Sequence, residues 1–179
     1  MDIGIVASRY AKTLLRFATD NKEEDLVYKE MQMLADTYQK VPALRTTLTN
    51  PAITAQQKAD LLASAAAVGE KLSATAQKFI ALVTKNRRAD LMQFIATAYQ
   101  SQYLHSKHII TGSLTVPAAV SDKTEQKLRK MVEAHTNSTM QFHVNIDPEI
   151  EGGFILQYDT YRLDASLRTQ LQQIRRKLS

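Results

Sequence analysis

The spacing of apolar residues changes once along this 179-residue chain, close to residue 108. Before that point, apolar positions recur every three or four residues, which places them on one face of an α-helix. Beyond it, apolar and polar residues alternate in short segments, as they do in strands with one buried face. The pattern therefore predicts a helical domain over residues 1–107 and a small strand-containing domain over residues 108–179.

The first domain is predicted to be a bundle of about six helices. Pro42, the Asn50-Pro51 pair and Gly69 interrupt the helical period, and Thr54 and Ser73 are suited to cap the helices that follow. Short connections between amphipathic helices indicate antiparallel neighbours. The apolar positions of the first and fifth predicted helices include Val6, Tyr10, Leu14, Phe17, Phe79, Ile80, Leu82 and Val83.

The second domain is predicted to follow the order strand-helix-strand-strand-helix, so the fold class is α+β and mainly α. Residues 109–117 and 140–146 alternate as strands, and a helix capped by Ser121 lies between them. Residues 154–158 and 161–163 look like the arms of a hairpin that follows the Gly152-Gly153 turn. A closing helix carries one apolar stripe, which consists of Leu167, Leu171, Ile174 and Leu178.

The amino-acid composition argues against several classes of protein. Cysteine is absent, which excludes disulfides, thiolate zinc sites and cysteine nucleophiles. No apolar run approaches the roughly 20 residues of a membrane-spanning helix. The 23 basic and 18 acidic residues leave a net charge of only +5, with no run of like charge and no tryptophan. Because a nucleic-acid site usually concentrates basic residues among aromatics, we expect no nucleic acid partner.

The reactive side chains do not form a recognisable catalytic or ligand-binding motif. His105 and His108 stand three residues apart, but no carboxylate follows at the spacing of a metal site. The pair Gly152-Gly153 lacks the pattern of a phosphate-binding loop. Asp164 and Ser166 precede the closing helix, where both residue types cap helices. We therefore expect no catalytic residues, no metal and no cofactor.

Apolar surfaces remain as candidates for function. A bundle of short helices can leave a groove that accepts an amphipathic helix from a partner. The candidates for such a groove lie on the first and fifth helices: Tyr10, Leu14, Phe17, Phe79, Leu82 and Val83. The alternative is that all six residues belong to the core, because periodicity does not tell which apolar face turns inward.

Five stretches of the chain carry specific motifs: residues 7–15 (ASRYAKTLL), Asn50-Pro51 with Lys58, residues 79–83 (FIALV) with residues 86–88 (NRR), residues 146–154 (IDPEIEGGF) and residues 163–168 (LDASLR) with Leu171. Together they resemble the delta subunit family of F-type ATP synthase, whose mitochondrial members are called oligomycin sensitivity conferral proteins. The resemblance covers nearly the whole chain in the family's order. Because the match begins at Ala7, no room for a transit peptide is expected, which favours a bacterial protein or a mature chain.

The resemblance implies a non-catalytic subunit of the peripheral stalk, which keeps the catalytic head from rotating with the rotor during proton-driven ATP synthesis. It implies that a groove between the first and fifth helices holds the N-terminal segment of an alpha subunit. The second domain would dock the C-terminal end of the b subunit. The protein would lie at the cytoplasmic face of the bacterial inner membrane, associated with it only through the complex. An RNA-binding module built on the strands is the alternative function.

Overall fold

A computed structural model of the chain describes residues 2–67, 71–118, 125–127, 129, 130, 133, 138–158 and 160–178. Two compact units make up the chain, Met1–Tyr103 and Leu104–Ser179. Helices dominate the first unit and a small mixed sheet forms the second, so the predicted fold class is confirmed.

The first unit is built from α-helices that follow one another through short connections. In the part of the chain that the structure describes, five helices precede a 3-10 turn at Ala89–Leu91 and a sixth follows it. They are α1 (Ile3–Asp20), α2 (Glu24–Lys40), α3 (Ala43–Thr49), α4 (Ala55–Ala66), α5 (Ala74–Lys85) and α6 (Met92–Ser106). The predicted bundle of about six helices is therefore confirmed.

Local chemistry accounts for where these helices begin and end. The Thr54 hydroxyl accepts a hydrogen bond from the backbone N–H of Gln57, whose side chain reaches back to Thr54 in a capping box. The Ser73 hydroxyl accepts one from the backbone N–H of Ala76 and so caps α5. Helix α2 ends at Lys40, two residues before Pro42, because proline is poorly tolerated in a helix interior.

The core of the first unit lies between the helices and is lined by side chains from all six of the helices given above. Burial of such side chains away from water is the main force that holds helices of this length together. The largest fully buried side chains of this unit are Leu14, Met31, Leu34, Leu48, Leu62, Ile80, Met92, Ile95 and Tyr99.

The second unit contains a four-stranded sheet with the order β2-β1-β3-β4. Its strands are β1 (Ile109–Val116), β2 (Thr139–Ile146), β3 (Ile155–Tyr158) and β4 (Tyr161–Asp164). Strands β1 and β2 are parallel, whereas β3 is antiparallel to both β1 and β4. Both arms of the predicted hairpin enter the sheet, so the described residues of this unit form one strand more than the predicted strand-helix-strand-strand-helix order.

A parallel pair of neighbouring strands requires a crossover, and a helix is its usual form. Residues 125–127, 129, 130 and 133, which lie between β1 and β2, are helical. The rest of the helix predicted from Ser121 lies outside the described residues, and this includes Leu128, Met131, Val132 and His135.

One face of the sheet forms the core of the second unit. Leu114 and Val116 of β1 are buried there with Met140 of β2 and Leu156 of β3. Gly112 lies on the same face, where a Cβ atom would collide with the Met140 side chain and with the backbone of β3. The alternation of apolar residues therefore correctly predicted the buried face of β1.

A tight turn and a capped helix complete the second unit. Gly153 has a φ of +76°, and a Cβ at this position would collide with the carbonyl oxygen of Ala165. The closing helix, α7 (Leu167–Leu178), follows Ser166, whose hydroxyl accepts a hydrogen bond from the Thr169 backbone N–H. Asp164 accepts hydrogen bonds from Ser166, which hold the pKa of its carboxyl below the ordinary range. Ser166 therefore caps the helix, as predicted, whereas Asp164 holds the capping residue in place and accepts no hydrogen bond from a backbone N–H of the helix itself.

Candidate protein-binding surfaces

Helices α1 and α5 lie side by side and run in opposite directions. At one end the Asn21 side-chain amide donates to the hydroxyl of Thr75 over 3.2 Å. At the other end the Asn86 amide donates to the hydroxyl of Tyr10 over 3.0 Å. The end of α1 thus contacts the start of α5, and Tyr10 in the first half of α1 contacts the end of α5. The two helices are therefore antiparallel.

The facing positions of the two helices have the same spacing. Residues 10, 14, 17 and 21 follow one another along one side of α1, and residues 75, 79, 82 and 86 do so along α5. The Tyr10 and Phe79 rings meet edge to face, with their centroids 6.2 Å apart. The two stripes therefore face each other along the length of the pair.

The structure divides the six predicted groove residues by their exposure. Leu14 and Val83 are 0% exposed and Phe79 is buried, so these three belong to the core of the free chain. Phe17 is 37% exposed, Leu82 is 45% exposed and Tyr10 is half-buried. We call the surface formed by Tyr10, Phe17 and Leu82 the α1–α5 groove. Its binding of a partner stays a prediction.

A second apolar surface lies on α7. Its residues follow one another at spacings of four and three, and all of them face water: Leu167 (47% exposed), Leu171 (56%) and Ile174 (54%). Arg168 and Arg175 flank this stripe along the same helix. We call Leu167, Leu171 and Ile174 the α7 stripe. The sequence predicted the stripe but not its exposure, because a buried helix shows the same periodicity.

Among the residues that the structure describes, no three histidine, aspartate or glutamate side chains come together as a metal site would require. None of the helices among the described residues is long and apolar enough to cross a bilayer.

Part-exposed apolar side chains on α1 and α5, together with an exposed apolar stripe on α7 of the sheet unit, are typical of proteins that bind partner proteins through their surfaces. The family model described as "ATP synthase delta (OSCP) subunit" matches residues 6–178. The chain belongs to this family. It is therefore a non-catalytic, peripheral-stalk subunit of ATP synthase and a peripheral part of that complex, as the resemblance implied.

Relatives along the full length support this assignment. ATP synthase subunit delta of Phocaeicola vulgatus is 38% identical over 177 residues, which cover 99% of this chain and 95% of the relative. The protein of the same name from Bacteroides thetaiotaomicron is 36% identical, with the same coverage of both chains. That of Lactobacillus johnsonii is 30% identical and covers 97% of this chain and 94% of its own.

A solved structure shares the fold. A chain in the cryo-EM structure of the Toxoplasma gondii mitochondrial ATP synthase hexamer superposes with a TM-score of 0.64 and covers 96% of each chain. Its sequence is 20% identical, so this likeness concerns the fold alone. The RNA-binding alternative has no support in these comparisons.

Proposed function

We propose that the chain ties the catalytic head of ATP synthase to the peripheral stalk through two contacts. The α1–α5 groove holds the N-terminal segment of an alpha subunit as an amphipathic helix. The second unit docks the C-terminal end of the b subunit. In this role the chain works at the cytoplasmic face of the bacterial inner membrane and reaches the membrane only through the complex.

The exposure of Phe17 and Leu82 in facing stripes carries the first part of the proposal. Helix-in-groove recognition uses apolar anchors along a groove between two helices. Two large apolar side chains left in water along one helix pair supply such anchors. The buried residues beneath them, Leu14, Phe79 and Val83, give the groove a rigid floor.

The α7 stripe supports the second part. An exposed stripe at spacings of four and three is the pattern with which one helix packs against another. The b-subunit end is the partner that the family resemblance implies for this unit, and a helix laid along α7 would cover Leu167, Leu171 and Ile174.

Two separate contacts on one chain are an advantage for a stalk subunit that has to resist torque. Once one contact has formed, the other becomes effectively intramolecular, so the joint affinity exceeds that of either contact alone. Each contact can then have a modest affinity, and no single residue has to contribute most of the binding free energy.

The groove is tested with the full chain and a peptide that has the sequence of the alpha subunit's N-terminal segment. Leu82→Asp and Phe17→Asp place a charge on the groove, and each should weaken peptide binding at least about tenfold. Phe94→Asp is the matched control, because Phe94 is also an exposed apolar residue but lies on α6. Unchanged affinity in both groove variants would reject the assignment. Leu14→Asp is less informative, since a charge at a fully buried position disrupts the bundle.

The assembly and its location are tested by capture of the tagged chain from bacterial membranes, with the recovered subunits identified by mass. Alpha and b subunits should be recovered with the wild-type chain. The Leu82→Asp variant should lose contact with alpha while it retains b. Recovery of neither subunit with the wild-type chain would contradict the proposal.

A further inference from the structure

Strand β2 forms one outer edge of the sheet, and two hydrogen bonds show which of its residues face β1. The Thr139 N–H donates to the His108 carbonyl over 2.9 Å, and the Asp147 N–H donates to the Val116 carbonyl over 2.8 Å. Because successive residues of a strand direct their backbone groups to opposite sides, the odd-numbered residues from 139 to 147 bond to β1. The even-numbered residues therefore direct their N–H and C=O groups away from the sheet.

A third hydrogen bond supports this direction. The outward N–H of Met140 donates over 2.9 Å to the carboxylate of Glu133, a helical residue that precedes β2. Among the residues that the structure describes, no acceptor pairs with the outward N–H groups of Phe142, Val144 and Ile146. We call these three residues the open β2 edge. They present a backbone donor and a backbone acceptor at every second position.

The side chains of the open β2 edge are incompletely covered. They lie on the core face of the sheet, opposite β1 residues that include the buried Leu114 and Val116. Phe142 is half-buried, whereas Val144 is 40% exposed and Ile146 is 60% exposed. The cover of the core therefore ends between β1 and the outer edge, and two apolar side chains are left facing water beside the open backbone groups.

The two edges of the sheet differ in their protection against a further strand. Natural edge strands are usually short, charged, bulged or interrupted by proline. At one edge, β4 has four residues and includes Arg162 and Asp164, whose side chains lie 3.5 Å apart. At the other, β2 has eight residues, and none of them is lysine, arginine, aspartate, glutamate or proline. It also pairs with β1 along its whole length without a bulge, so only the Glu133 contact protects it.

The backbone groups of the open β2 edge specify what can cover it. A row of N–H and C=O groups at every second residue is complementary to an extended polypeptide, which can add to the sheet as a strand. A helix satisfies its backbone groups internally and cannot supply these partners. Apolar side chains of the added strand would cover Val144 and Ile146, and polar ones would lie beside His143 and Asn145 on the opposite face.

We propose that an extended segment of another ATP synthase subunit, with apolar residues at every second position, pairs with the open β2 edge as a fifth strand of the sheet. The Glu133 carboxylate limits the contact to the part of the edge beyond Met140. This inference needs only the membership of the chain in the complex. It is independent of the α1–α5 groove and of the α7 stripe, since α7 follows β4 at the opposite edge.

Amide hydrogen exchange, resolved to single residues in the free chain and in the intact complex, tests the pairing. In the free chain the amides of Phe142, Val144 and Ile146 should exchange rapidly, whereas those of Gln141 and His143, which bond to β1, should be protected. In the complex the three outward amides should exchange at least about tenfold more slowly, because each acquires an acceptor. Equal exchange rates of these amides in the two samples would overturn the proposal.

Proline substitution separates strand addition from simple burial of the same surface. Val144→Pro removes only an outward N–H, which an edge strand tolerates, whereas Asn145→Pro removes an N–H that bonds to β1. Circular dichroism of the free chain should therefore change only in Asn145→Pro. In the complex, Val144→Pro should abolish the added protection at Phe142 and Ile146, and Val144→Ala, which keeps the N–H, should retain it. Full protection in Val144→Pro would show that burial alone covers the edge.

A second variant keeps the test decisive if Val144→Pro does not fold. Ile146 is exposed in the free chain, so Ile146→Lys should fold normally, and a lysine on an edge strand disfavours an added strand. The added protection at Phe142 and Val144 should then fall at least about tenfold in the complex. Protection equal to that of the wild type would contradict the proposal.

Sedimentation of the free chain distinguishes a partner subunit from a second copy of this chain. A monomer supports the proposal, because the open β2 edge is then available to another subunit. A dimer that Ile146→Lys dissociates would assign the edge to self-association and overturn the proposal.

Discussion

The carboxylate of Glu30 on α2 accepts two hydrogen bonds from Ser73, the cap of α5. The donors are the Ser73 backbone N–H, at 2.5 Å, and the Ser73 hydroxyl, at 2.6 Å, and both residues are buried. The same hydroxyl accepts a hydrogen bond from the Ala76 backbone N–H. This contact joins the start of α5, and with it one wall of the α1–α5 groove, to the middle of the bundle.

Removal of this carboxylate should destabilise the first unit. Glu30→Ala leaves two buried donors of Ser73 without an acceptor and opens a cavity, so we expect the free energy of unfolding to fall by about 2–4 kcal/mol. Urea unfolding followed by tyrosine fluorescence measures the change. Gln32→Ala, at an exposed position of the same helix, is the control and should cost less than about 0.5 kcal/mol. Equal stability of the two variants would contradict this role of Glu30.

The same contact predicts a pH dependence. Burial raises the pKa of Glu30, while the hydrogen bonds from Ser73 lower it, and the net direction is upward. The folded chain therefore binds the proton more readily than the unfolded chain, and the contribution of this group to stability declines as pH rises from about 4.5. The stability of the wild type relative to Glu30→Gln, which does not titrate, should fall over that range and then level off. If the urea midpoint of the wild type rose with pH relative to that of Glu30→Gln, the upward direction of the Glu30 pKa would be contradicted.

Neighbouring leucines on the paired helices should respond differently to truncation. Leu14 is fully buried, so Leu14→Ala should cost about 2–5 kcal/mol through lost burial and the cavity left behind. Leu82 is exposed, and Leu82→Ala should cost less than about 1 kcal/mol while it still weakens binding of the alpha segment. Thermal unfolding and peptide titration of both variants check this. A larger stability loss in the Leu82 variant would show that its side chain is part of the core.

The turn at Gly153 should not accept a side chain. Gly153→Ala combines a positive φ with a collision against the Ala165 carbonyl oxygen, and we expect the second unit to lose at least about 2 kcal/mol. Hydrogen exchange of the β1 and β3 amides reports on this unit. Gly4→Ala is the control, since Gly4 lies in the first turn of α1 with a φ that alanine tolerates, and should change stability by less than about 1 kcal/mol.

The α7 stripe should affect assembly and not folding. Leu171→Asp with Ile174→Asp should weaken binding of the b-subunit end at least about tenfold, because the change removes two apolar anchors. Circular dichroism should stay unchanged, since both side chains are exposed in the free chain. Gln173→Asp adds a charge elsewhere on the same helix and serves as the control. Full retention of b-subunit binding in the double variant would exclude the stripe as the docking surface.

Sequence reasoning reached most of the secondary structure because the signals are local. The cap at Thr54, the interruption at Pro42 and the alternation in residues 140–146 each depend on side chains close together in the chain. The order of the strands in the sheet could not be predicted from such local signals, because pairing of β1 with both β2 and β3 depends on contacts between residues far apart in sequence.

For the candidate site, the sequence by itself determined which helices carry the apolar stripes and, through the resemblance, which family the chain belongs to. Only the tertiary structure decided that Leu14 and Val83 are core while Phe17 and Leu82 face water, and that Arg9, Tyr10 and Arg88 line one cavity. The physical reason is that helical periodicity repeats along one helix, whereas exposure depends on which neighbours pack against it. Those neighbours are set by the whole bundle.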